Sequence, residues 1–398
     1  MTAEPRTVPA QDEGRMNAAP LRKLRELRDP TGGLLSVYLT VPPDPTALRE
    51  LPAQLDRLLA TARPQPATQI PTRRMRAARV AVRQLGLARA RDWFGRTTAV
   101  VASGDGDVLH EIKLPATVPD RAVFGRRPYL RPLLRANQAA RPHLVVVLDR
   151  RQAWLFEVDG SAIQRVRLLE GESTRGHTHA GWYGLEEHRI RHHKAEQANR
   201  HYQATAAAVE ERAPAGRPLV VGGHKDGVAE FLATLPAPLA ARVAGTFVVD
   251  PHTMTPHVVH GSAAAVMARW EAERQERIAA DLARWEAARL AVTGVERSAE
   301  MVSTSLADLL VVRGDEPVPG VVCESCGTIT TRRHRCTVTP PYPVPDVIDE
   351  MILRMLDTGG KIDLGGQEQA GLSVAVRLHH ATVSSVELID GVEAAGAR

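Results

Sequence analysis

Near the end of the chain, Cys323, Cys326, His334 and Cys336 form the pattern C-x2-C-x7-H-x-C, and the three thiols are all the cysteines the sequence holds. Thiolate and imidazole are the donors zinc prefers, and Cys₃His is an accepted structural set. The glycine after the second cysteine suits the turn of a zinc knuckle. The reading is a structural zinc site in an insert over 323–336. A redox CxxC competes with it, although no thioredoxin-like helix follows, and so do three free thiols in a loop.

Histidine is the second concentration of reactive side chains. Six of the fifteen fall within 177–201: His177, His179, His188, His192, His193 and His201. His188 and His192 stand four apart, as on a metal-binding helix face. Arg175, Arg189, Arg191 and Lys194 surround them and would repel a cation. RNA contact is the better use of this stretch, with histidines and aromatics able to stack on unpaired bases. The candidates are His177, His179, Gly181, Trp182, Tyr183, Gly184, Arg189, His192 and His193. A solvated polar helix, with Trp182 and Tyr183 in a core, is the plainer alternative.

The arginines point the same way. The chain has a formal charge of +5 and a pI near 9.4, yet the charge is clustered. Residues 73–96 hold eight arginines against Asp92, and 121–151 hold eight against Asp149, so each segment is +7. Two such blocks favour a polyanion, most simply nucleic acid. In the first block Arg73, Arg74, Arg76, Arg79 and Arg83 follow the proline-rich "TARPQPATQIPT" on an uninterrupted helical pattern. They are the candidates for phosphate contact.

Elements to position these groups read off in three blocks. After a leader, 1–16, expected to be disordered, the first block covers 17–140. It has the strand "GGLLSVYLTV", a helix around 46–62, the basic helix over 73–94, and strands "TTAVVAS" and "VLHEIKL" around a Gly104-Asp105-Gly106 turn. The second, 141–290, opens on "HLVVVLDR" and "RQAWLFEVDG". A polar loop then enters a helix over 185–212, before strand "PLVVGG", helix "KDGVAEFLATL", strand "RVAGTFVV" and a long Arg/Glu-rich helix over 262–290. The third, 291–398, has a helix near 295–303, strand "DLLVVRG", the Cys/His insert, helix "VPDVIDEMILRMLDTGG" and strand "GLSVAVRLHH". The expected fold class is α/β and α+β, each block a β-sheet covered by helices. The leader lacks an apolar run and no segment is apolar for long enough to span a bilayer, so the expectation is a cytoplasmic protein without a membrane partner.

The order of blocks resembles the three-domain class I release factors of archaea and eukaryotes and their ribosome-rescue relative Pelota. It is most similar to the bacterial branch of that superfamily, including the Balon-type hibernation factors. Carriers of the resemblance are "GGLLSVYLTVPPD", "HLVVVLDRRQAWLFEVDG", "LVVGGHKDGVAEFLATLPAPLAARVAGTFVVD", and "SAEMVSTSLADLLVV" followed by the CxxC. In that family a Gly-Gly-Gln loop of the middle domain reaches the peptidyl-tRNA ester. The matching segment here is 177–184, whose tip reads Gly181-Trp182-Tyr183-Gly184 without glutamine. A Gly-Gly-Gln does occur, at Gly365-Gly366-Gln367, but in the third block, where paired glycines read as a strand-to-strand turn with positive φ. "TQIPTRRMR" stands where the family's stop-codon motif would be.

The resemblance therefore implies a non-catalytic factor occupying the ribosomal A site. The first-block arginines would meet the decoding centre and the 177–184 loop the peptidyl transferase centre, each through rRNA. Translation silencing by hibernation, as a stress response, fits the missing motifs. A Pelota-like rescue adaptor is the runner-up, and a peptidyl-tRNA hydrolase or RNase using the histidine-rich loop is the rival from another class. Elongation factor Tu or another translational GTPase is the implied delivering partner, and a monomer the implied state.

Overall fold

The computed structural model describes residues 18–65, 70–160, 162–171, 185–212, 216–365 and 373–379, with backbone only for 18–20 and 185–191. These residues build a mixed α/β protein of four sheets. The chain divides into two compact units, Met1–Ala140 with Gln275–Arg398, and Arg141–Arg274.

The first block runs α1 (Ala18–Glu26), β1 (Leu34–Val41), α2 (Pro45–Thr61), α3 (Thr72–Ala88), α4 (Ala90–Trp93), β2 (Arg96–Ser103), β3 (Leu109–Leu114), β4 (Arg121–Gly125) and α5 (Arg131–Ala139). Its strands form an antiparallel sheet in the order β3-β2-β1-β4. Central β1 is covered on both faces, which explains a sequence with almost no polar alternation. Leu35, Val37 and Leu39 pack with Leu51, Leu55 and Val82 of α2 and α3, and Tyr38 turns to Leu130 and Leu133 on the other face. Asp44 caps α2 by accepting from the Thr46 amide at 3.0 Å, with Pro45 at the first helical position. The basic helix passes through Gly86 and ends at Ala88; glycine is needed at 86 because a Cβ there would lie 2.8 Å from Leu55 and 3.0 Å from the Trp93 ring.

The middle unit takes β5 (His143–Leu148), β6 (Gln152–Asp159), β7 (Ala162–Glu170), α6 (Leu185–Arg212), β8 (Leu219–Gly223), α7 (Lys225–Thr234), α8 (Ala237–Ala240), β9 (Val243–Val248) and the N-terminal part of α9 (Pro256–Ala287). Its sheet has the order β7-β6-β5-β8-β9, with β5, β8 and β9 parallel and β6 and β7 antiparallel. Leu144, Val146 and Leu148 of β5 pack with Tyr202 and Val209 of α6 and Phe231 of α7. Val145 and Val147 face Val259, Ala263 and Val266 of α9. That two-sided burial accounts for the unbroken apolar run in β5.

The last block supplies β10 (Ala291–Thr293), α10 (Val295–Ser303), β11 (Ala307–Val312), β12 (Gly320–Val322), β13 (Ile329–Thr330), β14 (Tyr342–Val344), α11 (Val347–Thr358), β15 (Lys361–Asp363) and β16 (Val374–Leu378). It holds a sheet β10-β16-β11-β15 and a small sheet β13-β12-β14. Gly359 (φ 75°) closes α11 in the left-handed region, as its position after the apolar pattern predicts. Gly365 does not adopt positive φ, so that part of the expected turn geometry is not found; Gly366 and Gln367 lie outside the described residues.

The sequence reading does not name α1, β4, α5, β7, α8, β10 or the three short strands β12, β13 and β14. Strand β7 has no buried side chain, and α8, β10, β12, β13 and β14 are four residues or fewer, too short to show a period. Helix α9 also starts at Pro256 rather than near 262.

Candidate functional site

The small sheet of the last block frames the cysteines and packs Val322, Ile329, Tyr342 and Val344 into the block's core. Cys323 and Cys326 sit on the turn between β12 and β13, and His334 and Cys336 on the segment between β13 and β14. Backbone bonds from the Cys323 amide to Thr328 O (3.0 Å) and from the Gly327 amide to Cys323 O (2.9 Å) fix the turn. The four donor atoms all lie within 4.8 Å of one another. Cys326 Sγ is 3.1 Å from His334 Nε2, and Ser325 Oγ is 3.2 Å from Cys323 Sγ and 3.1 Å from Cys336 Sγ. Cys323 is buried and Cys326 exposed, with His334 and Cys336 between. Hydrogen bonds from the Ser325 hydroxyl and the Cys326 amide hold the Cys323 thiol down at about 5, and Ser325 lowers Cys336 as well. Thiolate is the form that ligates a metal. A tetrahedral site with bonds of about 2.0–2.3 Å has ligand edges of roughly 3.3–3.8 Å. The cluster could therefore close on a metal ion with ångström-scale movement. It offers four protein donors, the mark of a structural site.

In the middle unit, strand register gathers a second group at one end of the sheet. Leu148, Gly223 and Val248 are paired across the carboxyl ends of β5, β8 and β9, and Gln152 pairs with Glu170 at the same end. Gly171, where β7 ends, donates its amide to Arg151 O at 2.6 Å. The chain therefore leaves Gly171, toward residues 172–184, beside the Asp149–Gln152 turn. A cleft of about 400 Å³ opens there, lined by Asp149, Arg150, Arg151, His224 and Asp226 among others. Crevices at the carboxyl ends of parallel strands are the usual ligand position in α/β sheets. Asp149 accepts from the Arg151 and Gln152 amides and lies 2.9 Å from His252 Nε2. Arg150 clamps Glu230 with contacts of 2.5 and 3.2 Å and holds its carboxyl below the usual range. Tyr202 donates to the same carboxylate at 3.2 Å. Gly223 (φ 148°) permits β8 to approach β5, since a Cβ there would sit 2.3 Å from Leu148 O.

The histidine-rich stretch divides. His177, His179, Gly181, Trp182, Tyr183 and Gly184 lie outside the described residues, as does the side chain of Arg189, whose backbone is in α6. His192 and His193 are exposed on α6. His201 is not available for base stacking: it is buried beside Tyr202, on the face of α6 that meets the sheet, and burial lowers its pKa.

The arginines divide too. On α3, Arg74 contacts Asp29 (3.1 Å) and Asp105 (2.6 Å), Arg83 contacts Asp56 (2.6 Å), and Arg79 donates to Ala62 O while lying over the Phe124 ring. The acids missing from the helix's own sequence come from β1's approach, α2 and the β2–β3 turn. Arg73 and Arg76 are exposed, with no ion pair among the described residues. In the second basic segment Arg121, Arg126, Arg131 and Arg135 are taken up by carbonyls and carboxylates of the last block: Asp315 O, Glu324, Asp346 and the Asp315 carboxylate. Half of that segment's arginines are thus an internal adhesive between the first and last blocks rather than a free face.

No described helix is long and apolar enough to cross a membrane. Residues 128–276, a stretch that contains the whole middle unit, match the model of bacterial archaeo-eukaryotic release factor family 10. No curated protein matches the chain. Among solved structures, an archaeal translation termination factor is 15% identical, covering 91% of this chain and 96% of its own at a TM-score of 0.24. Archaeoglobus fulgidus Pelota is 15% identical (72% and 79% covered, TM-score 0.30). Archaeal Pelota in a ribosome-bound model with ABCE1 is 12% identical (72% and 78%, TM-score 0.36). With TM-scores this low, the family model over the middle unit carries the identification. Residues 128–276, and with them the five-stranded middle unit, are thus similar to the bacterial archaeo-eukaryotic release factors.

Proposed function

We propose that this protein is a non-catalytic ribosome-binding factor that occupies the A site and silences translation, as a hibernation factor does. The observation that carries the reading is the pairing of a release-factor-like middle unit with a loop, 177–184, that contains no Gly-Gly-Gln. Release by such a loop needs a slender backbone and an amide that positions water beside the ester carbonyl. Gly181-Trp182-Tyr183-Gly184 supplies two bulky rings instead. Rings of this kind suit stacking on unpaired rRNA bases. Arg73 and Arg76 are the α3 side chains left free to meet phosphate at the decoding end. Zinc is the metal for Cys323, Cys326, His334 and Cys336, because a closed Cys₃His set matches its donor preference. Bound there, it would hold the small sheet's two loops together and take no part in chemistry. Elongation factor Tu or another translational GTPase is the delivering partner this reading calls for.

The test combines ribosome co-sedimentation with a reconstituted peptide-release assay. Wild type should bind ribosomes and release no peptide. Replacing Trp182 and Tyr183 with Ala should weaken binding, at about 1–3 kcal/mol per stacked base, and Gln367→Ala should change neither readout. Robust release by wild type that Gln367→Ala abolishes would overturn the reading.

A further inference from the structure

Arginines converge on the Cys/His turn, and apart from Arg126 none of them has a role described so far. They come from three separate stretches of chain. Arg126, after β4, lies 3.6 Å from Glu324 within the C-x2-C turn and over the Tyr342 ring at 4.0 Å. Arg354, on α11, donates to Gly327 O at 3.0 Å, on the far side of the same turn. Arg333 and Arg335 flank His334, and both are exposed with no ion pair among the described residues. Arg335 also precedes Cys336, whose sulfur is 3.1 Å from Ser325 Oγ. The local acids do not cancel this charge: Glu324 is already engaged by Arg126, and Glu296 faces Arg332 at 3.9 Å and binds Thr331.

We propose that the Cys₃His turn is the scaffold of a phosphate-binding surface through which the last block grips the backbone of an RNA strand, with Arg333 and Arg335 as its free contacts. The guanidinium fork matches phosphate oxygens two at a time. Several forks set around one rigid turn suit a partner whose charges repeat along its length. A folded acidic protein is the less suitable partner. Protein interfaces are built round an apolar, aromatic centre, whereas among the described residues the only large apolar side chain exposed near the turn is Val338, 74% exposed, and Tyr342 is buried under Arg126. Phosphate contacts need no such centre. This surface adds a contact to the ribosomal reading but does not depend on it, since any RNA backbone would serve.

The experiment uses the full, metal-replete chain and a dye-labelled oligouridylate of about 20 nucleotides, with anisotropy titrations across a salt series. Losing two contacts to a single strand should reduce the slope of log K against log salt by about 1.4 in Arg333→Ala/Arg335→Ala. The corresponding double Lys variant should keep most of the slope, because it keeps the charge. Arg49→Ala/Arg57→Ala, which removes two exposed arginines of α2, is the charge-matched control and should lose less. The proposal is overturned if wild type does not bind the oligonucleotide, if the Ala pair keeps the wild-type slope, or if the control loses as much. Naked RNA keeps the outcome separate from ribosome binding, so either reading can fail alone.

Discussion

Arg131 Nη1 lies 2.8 Å from Asp346 Oδ2, and the two side chains are 3% and 0% exposed. The pair joins α5 of the first block to the start of α11 in the last, 215 residues away. Asp346 is fully occupied there. The same Oδ2 accepts from Tyr129 OH at 3.0 Å, while Oδ1 accepts from the Val318 and Ile348 amides at 3.1 and 3.0 Å, the latter capping α11. Arg131 completes its own set on Glu316 O and Gly314 O, each at 3.0 Å. A buried pair whose carboxylate is fully engaged and whose guanidinium also binds two carbonyls offsets much of the usual cost of stranding charge out of water.

Breaking that pair from one side should therefore be severe. Arg131→Met leaves the Asp346 carboxylate buried without its counterion, and about 3–5 kcal/mol of stability should be lost. Arg135→Ala removes a partly exposed pair with Asp315 and should cost under about 1 kcal/mol. Urea unfolding of the two variants beside wild type measures the difference. Equal, small losses would show that the Arg131–Asp346 contact does not join the blocks.

Asp349, one turn further along α11, predicts a pH dependence. Its Oδ1 accepts from the Leu130 and Arg131 amides at 3.0 and 2.6 Å. Burial, with the Asp346 and Glu350 charges adding to it, nevertheless pushes its carboxyl well above the ordinary aspartate range. A carboxyl raised on folding binds its proton more tightly in the native state. Its contribution is full below the unfolded value of about 4 and is lost as pH rises toward the folded pKa, by at most about 1.4 kcal/mol per pH unit. Asp349→Asn should flatten that decline while keeping an acceptor for both amides. An unchanged stability–pH profile in the variant would count against a protonated Asp349.

These long-range pairings explain what the sequence could and could not reveal. Central strands β1 and β5 were readable because burial on both faces leaves unbroken apolar runs, and α11 because Asp346 and Gly359 punctuate its ends. The Cys₃His cluster was readable because its donors are all the cysteines of the chain and fall within one insert. Strand β7 was not, since its nine side chains alternate irregularly between exposed and half-buried and none is buried. Nor could the fate of the arginines be read. Local charge counting sees 121–151 as a bare cationic block, while Asp315, Glu324 and Asp346 lie some two hundred residues on.

The metal prediction is stoichiometric. Protein purified without chelator should carry one zinc per chain by elemental analysis, and chelation should lower the thermal midpoint of the unit containing the last block. Cys323→Ser should lose the metal outright, since its sulfur is the buried member of the set. Structural zinc contributes folding free energy directly, so loss of metal and loss of stability should coincide. Metal-free protein with wild-type stability would leave Cys323, Cys326 and Cys336 as free thiols.

On α3 the geometry separates two roles that the sequence runs together. Arg74 bridges Asp29, whose side chain is only 9% exposed, and Asp105 on the β2–β3 turn, and it also donates to Thr31 Oγ1 at 3.0 Å. Arg74→Ala strands the Asp29 carboxylate and should cost roughly 1–3 kcal/mol of stability. Arg73 and Arg76 touch no acid among the described residues, so replacing both with Ala should move stability by less than about 0.5 kcal/mol. Their effect belongs in binding instead. If they meet rRNA phosphates, the double variant should reduce the slope of log K against log salt for ribosome binding by about 0.7–0.9 per lost contact. Co-sedimentation across a salt series reads the slope, and thermal unfolding reads the stability. A slope unchanged in Arg73→Ala/Arg76→Ala would remove α3 from the ribosome-facing surface, whatever Arg74→Ala does to the fold.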